Sequence, residues 1–124
     1  MTPLSLGCRD LPGGVLVTVI GELDASNSTR LESFTERHLR PGAGVVLDLG
    51  GLSFMDSRGL HVLLRLNAAV LDRGGVLRLA GVQELPARVL QVTGVWSSLA
   101  VHADVGDAVA AMGAQRPADL RESS

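Results

Sequence analysis

Short apolar runs alternate along this chain with stretches whose apolar residues recur at helical spacing, and glycine or proline marks most of the junctions. That order constrains the fold more than any single motif. Strands separated by helices are joined by right-handed crossovers, and crossovers make parallel sheets. Leu4–Cys8 and Val15–Ile20 read as two strands joined by Pro12-Gly13-Gly14, good turn chemistry for an antiparallel hairpin. Asn27, a candidate N-cap, opens a helix expected to run to Arg40 with Leu31, Phe34, His38 and Leu39 on one face, and Pro41-Gly42 ends it. Val45–Leu49 is a strand bounded by glycines, Ser57–Arg73 a helix ended by Gly74-Gly75, and Val76–Ala80 a strand. Gln83–Val92 is a helix with Pro86 near its start, where a missing N–H costs little. A strand at Leu99–Ala103 and a helix at Asp104–Met112 complete the pattern. The expected fold is a single α/β domain over residues 1–112, a mostly parallel mixed sheet with an antiparallel edge hairpin and about four helices; residues 113–124 read as a flexible tail.

Composition narrows the function. The chain has 124 residues, enough for one domain, and 46% of them are hydrophobic, enough for a core. A net charge of −2 without a basic block lacks the footprint of a nucleic-acid binder, and the only aromatics, Trp96, Phe34 and Phe54, are too few for base stacking. Cys8 is the only cysteine, so neither an intrachain disulfide nor a cysteine zinc cluster can form. His38, His61 and His102 lack metal-ligand spacing, so neither metal nor cofactor is expected. Charges and glycines interrupt Leu60–Val82, leaving no membrane span, and the N-terminus lacks a signal-peptide pattern; a cytoplasmic protein is the expectation.

Chemistry concentrates in Gly50-Gly51-Leu52-Ser53-Phe54-Met55-Asp56-Ser57-Arg58-Gly59-Leu60-His61, where a strand gives way to a helix. Ser57 has three local readings. As a helix N-cap its hydroxyl would satisfy a first-turn N–H, worth about 1 kcal/mol. As a nucleophile it would need a base and an oxyanion hole, but Met-Asp-Ser-Arg-Gly is not the Gly-x-Ser-x-Gly elbow, and His61, one turn on, approaches only from the side. As a phosphate acceptor it would gain about −1.5 to −2 charge at a helix tip, with first-turn N–H groups to hold it and Asp56 to oppose it. For Phe54 and Met55 the readings are core plug or partner anchor. Glu22 and Asp24 make a poor acid/base pair without a pocket, and Asp24 fits better as a turn cap or a contact residue. Asp48 should face solvent or bond a nearby loop, and the glycine pairs 13–14, 50–51 and 74–75 are expected at element ends. In the second long helix, Leu60, Leu63, Leu64, Ala68 and Leu71 form the stripe expected to face the sheet.

Gly21-Glu22-Leu23-Asp24, the stretch Val46–Leu60 with its Asp56-Ser57-Arg58-Gly59, and Val92-Thr93-Gly94-Val95-Trp96 together resemble the anti-sigma factor antagonists of the STAS family. The resemblance extends in element order over residues 3–112. It implies a regulatory binding protein rather than an enzyme. The unmodified form would bind an anti-sigma factor that is also a serine kinase, phosphorylation of Ser57 would end the binding, and a serine phosphatase would reset it. It also implies a contact surface around Ser57 built from Asp24, Ser26, Asn27, Phe54, Met55, Asp56, Arg58, Gly59 and His61. Arg58 departs from the family pattern, which usually has a small residue there, and a cation at a helix N-terminus costs about 0.3–1 kcal/mol. The open alternative is a STAS module of a stress-signalling or lipid-transport assembly without a phosphoswitch.

Overall fold

The computed structural model describes residues 3–114. The element order is β1 (Ser5–Leu11), β2 (Gly14–Leu23), α1 (Ser28–Glu36), β3 (Gly44–Met55), α2 (Ser57–Asp72), β4 (Leu77–Ala80), α3 (Glu84–Val92), β5 (Ala100–His102) and α4 (Val105–Ala114). The five strands form one sheet in the order β1-β2-β3-β4-β5. β1 pairs with β2 antiparallel and the other neighbours are parallel, as the hairpin and the crossovers require.

Side-chain alternation in the strands divides the interior between two faces. Val15, Val17, Val45, Leu47, Leu77 and Leu79 turn toward the face that also buries Leu31 of α1, Leu63 and Leu66 of α2 and Leu90 of α3. Leu16, Val46 and Ala80 turn the other way, against Ala108 and Met112 of α4. With apolar residues needed on both faces, the strands read as nearly continuous hydrophobic runs.

The structure corrects several expectations. α2 buries Gly59, Leu60, Val62, Leu63, Leu66 and Val70, whereas Ala68 and Leu71 are exposed and Leu64 is half-buried. Two apolar stripes overlap at the helical period, and the buried one includes Gly59, which packs without a Cβ against Leu23 and Met55. α1 ends at Glu36 rather than Arg40, and His38 Nδ1 lies 2.8 Å from the Phe34 carbonyl in the closing turn. Gly50 and Gly51 do not end β3. The strand continues to Met55 through register irregularities against β2, between Thr18 and Ile20 and again between Gly21 and Glu22. A Cβ on Gly51 would lie 2.9 Å from Ile20 Cγ1, so a side chain there would have to push the exposed Ile20 aside. Gly94 does end α3, at φ 78°, a conformation that favours glycine. α4 continues to Ala114, into the segment read as a tail, whose residues 115–124 lie outside the described part.

Candidate functional site

The long β3 decides where the site lies. Glu22 pairs with Phe54 and Leu23 with Met55, so β2 and β3 leave the sheet side by side. The loop 24–27 and the start of α2 therefore meet at the C-terminal edge of the sheet. Asp56 joins them. Its N–H donates to the Leu23 carbonyl at 3.1 Å. Its Oδ1 accepts from the N–H of Arg58 at 3.0 Å and of Gly59 at 3.1 Å, and its Oδ2 accepts from the Ala25 N–H at 3.3 Å. One carboxylate thus caps α2 and ties down the neighbouring loop.

Asp56, not Ser57, is the N-cap. Its backbone is extended, at φ −102° and ψ −171°, which aims its carboxylate back over the first turn. Ser57 is the first residue inside the helix, exposed and without a side-chain hydrogen bond among the described residues. This position also changes the expectation for a phosphoryl group. The N–H groups of Arg58 and Gly59, which a phosphate would otherwise use, are already held by Asp56.

The loop 24–27 is held from within. Asp24 Oδ1 accepts from the Ser26 N–H at 2.9 Å and from Ser26 Oγ–H at 2.6 Å. Those bonds, the hydroxyl first, hold the Asp24 carboxyl below the usual carboxylate range. Asn27 occupies the N-cap position of α1 but makes no side-chain cap to it. Instead its Oδ1 accepts from the Asp24 N–H and its Nδ2 donates to the Glu22 carbonyl, both at 2.9 Å. Asn27 therefore staples the loop rather than the helix.

Of the residues expected on the contact surface, Ser26, Phe54, Arg58 and His61 are exposed, and Asp24, Asn27 and Asp56 are partly so. Met55 and Gly59 are not surface contacts. Met55 is 1% exposed, a core plug. Gly59 is buried, and a Cβ on it would sit 2.8 Å from both Leu23 Cδ2 and Met55 Cγ. The glycine of Asp-Ser-x-Gly thus lets α2 close onto the ends of β2 and β3, which presents Ser57 outward.

Ser57 Oγ has no hydrogen bond to His61, and neither residue lines any of the described cavities, so the nucleophile reading gains no support from geometry. Sequence reasoning missed the bracing between α1 and α2, where Arg65 Nε and Nη2 donate to the two Glu32 oxygens at 2.8 and 3.0 Å. It also missed Arg78, which is 7% exposed, with Nη1 3.0 Å from His102 Nε2 and Nε without a partner. Asp48 Oδ1 accepts from the Gly50 N–H at 3.0 Å, a bond within β3 rather than to the nearby loop expected of it.

The five-stranded mixed sheet carries an Asp-Ser-x-Gly helix tip beside the stapled loop 24–27, and residues 8–108 match the STAS domain family. The chain belongs to that family. It is 29% identical over 92 residues to an anti-sigma F factor antagonist of Paenibacillus polymyxa, covering 73% of this chain and 79% of that relative. In structure it is similar to an anti-sigma factor antagonist from Mycobacterium paratuberculosis, with TM-score 0.80, 22% identity, and 89% of this chain and 94% of that one covered. It is also similar to the anti-sigma factor antagonist SpoIIAA in its unphosphorylated form, with TM-score 0.71, 20% identity, and 85% and 93% covered. No helix among the described residues is long and apolar enough to cross a membrane.

Proposed function

We propose that this protein is a cytoplasmic anti-sigma factor antagonist switched by phosphorylation of Ser57. Unmodified, it binds an anti-sigma factor with serine kinase activity through the tip around Asp24, Ser26, Asn27, Phe54, Asp56, Ser57, Arg58 and His61. The observation that carries this reading is the placement of Ser57: exposed, first in a capped helix, and beside a rigid loop. A hydroxyl there is within reach of a kinase and would lie inside any interface built on the tip.

The switch needs no large conformational change. A phosphoryl group adds about −1.5 to −2 charge next to the Asp56 carboxylate. Inside a partly desolvated interface an uncompensated charge costs several kcal/mol. A loss of about 3–4 kcal/mol weakens binding roughly a few hundredfold. Arg58, exposed on the first turn, is the cation closest in sequence to the new charge, and it tunes its cost. A phosphatase then restores the neutral hydroxyl.

The test is capture of partners from the native cell on the purified protein, read by mass spectrometry, followed by incubation of the captured kinase with ATP. The proposal expects a kinase-fold protein and one phosphate at Ser57, absent in Ser57→Ala. Capture of transporter subunits instead, or phosphate that persists in Ser57→Ala, would overturn it.

A further inference from the structure

A groove with a volume of about 370 Å³ lies between β1 and α1, lined by Leu6, Thr29, Arg30, Ser33, Phe34 and Arg37. Its charge is one-sided. Arg30 Nη2 donates to the Leu4 carbonyl at 3.3 Å, and the Arg37 guanidinium carbon lies 5.8 Å from the centre of the Phe34 ring. Among the described residues neither guanidinium has an ion-pair partner. The acids of α1 serve its other edge. Glu32 is engaged by Arg65 of α2, and Glu36 lies close enough to act on the same guanidinium. α1 is therefore basic toward β1 and acidic toward α2.

Leu6, the groove's one lining residue outside α1 and its C-cap, belongs to the edge strand of the sheet. β1 pairs only with β2, so its outer rim of N–H and C=O groups has no strand against it among the described residues. Proteins usually blunt such an edge with proline, charged side chains, a bulge or a covering element. Here the charges of β1, Arg9 and Asp10, sit toward its C-terminal end and no proline interrupts its seven residues, while Leu4 and Leu6 turn toward the α1 side, leaving Leu6 half-buried as an apolar seat. An added strand would place alternate side chains over that seat.

From the free edge, the apolar seat and the paired arginines, we infer that this face docks an extended acidic peptide segment of a protein partner, added to β1 as a further strand. The spacing fits. Arg30 and Arg37 are seven residues apart, about 10 Å along a helix axis. Same-face residues of a strand repeat every ~6.7 Å, so carboxylates two or four positions apart come within reach of the two long side chains. Thr29 and Ser33 supply hydroxyls between them, and the partner's apolar residues rest on Leu6 and Phe34. The groove shares no lining residue with the Ser57 tip, so one chain can hold two partners, or one partner at two points.

The probe is a fluorescein-labelled octapeptide, Glu-Thr-Val-Thr-Glu-Thr-Val-Thr, which puts glutamates four positions apart and valines between them on one strand face, titrated against the full chain at low salt by fluorescence anisotropy. The same peptide with lysine for glutamate is the control. The glutamate peptide binds and the lysine peptide does not. Arg37→Glu weakens binding by about tenfold or more, and Arg30→Glu with Arg37→Glu reverses the preference. Both arginines are exposed, and circular dichroism verifies that the variants fold. Bound peptide slows amide exchange along β1. Ser57→Asp leaves the affinity unchanged, which keeps this test independent of the phosphoswitch. Equal binding of the two peptides, or binding without slowed exchange in β1, overturns the inference. Displacement of the peptide by an equal concentration of inorganic phosphate would assign the groove to small anions. Self-association abolished by Arg37→Glu, measured by ultracentrifugation, would assign it to a second copy of this chain. Either result also overturns the inference.

Discussion

Removing the Asp56 carboxylate should loosen the site more than it loosens the fold. In Asp56→Ala the N–H groups of Arg58 and Gly59 lose the oxygen that now lies 3.0 and 3.1 Å away, and the Ala25 N–H loses its bond at 3.3 Å. Loss of an N-cap costs about 0.5–2 kcal/mol, and this cap also holds a second loop, so the upper half of that range is expected. For a domain of this length 1 kcal/mol moves Tm by roughly 3–5 °C, so thermal unfolding should fall by about 3–10 °C. Asp56→Asn keeps an acceptor but loses the charge that complements the helix N-terminus, about 0.3–1 kcal/mol, and should lie between the two. Amide exchange locates the effect. Ala25, Arg58 and Gly59 should exchange faster, while Val62 and Leu66, buried in the middle of α2, keep their protection. If Asp56→Ala melts with the parent protein, or if exchange rises evenly along α2, the carboxylate is not the brace described.

Gly59→Ala sets two effects against each other. Alanine gains about 1 kcal/mol of helix propensity, but its Cβ enters a space where Leu23 and Met55 lie 2.8 Å away, and such overpacking costs about 1–3 kcal/mol. Denaturant unfolding should show a net loss of up to about 2 kcal/mol; a stabilised variant would contradict the packing. Arg58→Ser should raise helix stability by a few tenths of a kcal/mol and change the rate of Ser57 phosphorylation or the partner affinity; if neither changes, Arg58 has no tuning role. In acid, the Asp24 carboxyl is lowered by its bonds from Ser26, and the Glu32 carboxyl by its bond from Arg65. Their contribution is present above the unfolded carboxylate range and lost as pH falls through the lower folded values, so stability should decline below about pH 4. In Arg65→Ala the Glu32 share of that decline should disappear.

How far the sequence carried can be read from particular residues. The order of elements along the chain, the helix count and the hairpin were legible because each rests on local periodicity and turn chemistry. The meeting of Asp24 with Asp56 was implied only by family resemblance, since it depends on β2 and β3 staying paired as far as Leu23 and Met55. Gly50-Gly51 hid that extension, because glycine marks a bulge and a strand end with the same letters. The N-cap reading of Ser57, one of three left open, fails for a related reason. Both are good capping residues, and only the backbone angles tell which stands outside the helix. Arg78 was invisible as a buried group because its burial comes from α4 and β5, elements distant in sequence. The groove between β1 and α1 left no motif either, since its charge pattern exists only once α1 is oriented by Leu31 and α2.

The account stands most directly on one comparison: isothermal calorimetry of the captured kinase-type partner with the unmodified chain and with the chain phosphorylated at Ser57. A drop of roughly a few hundredfold in affinity on phosphorylation is the expected result. Equal affinities for the two forms would contradict it.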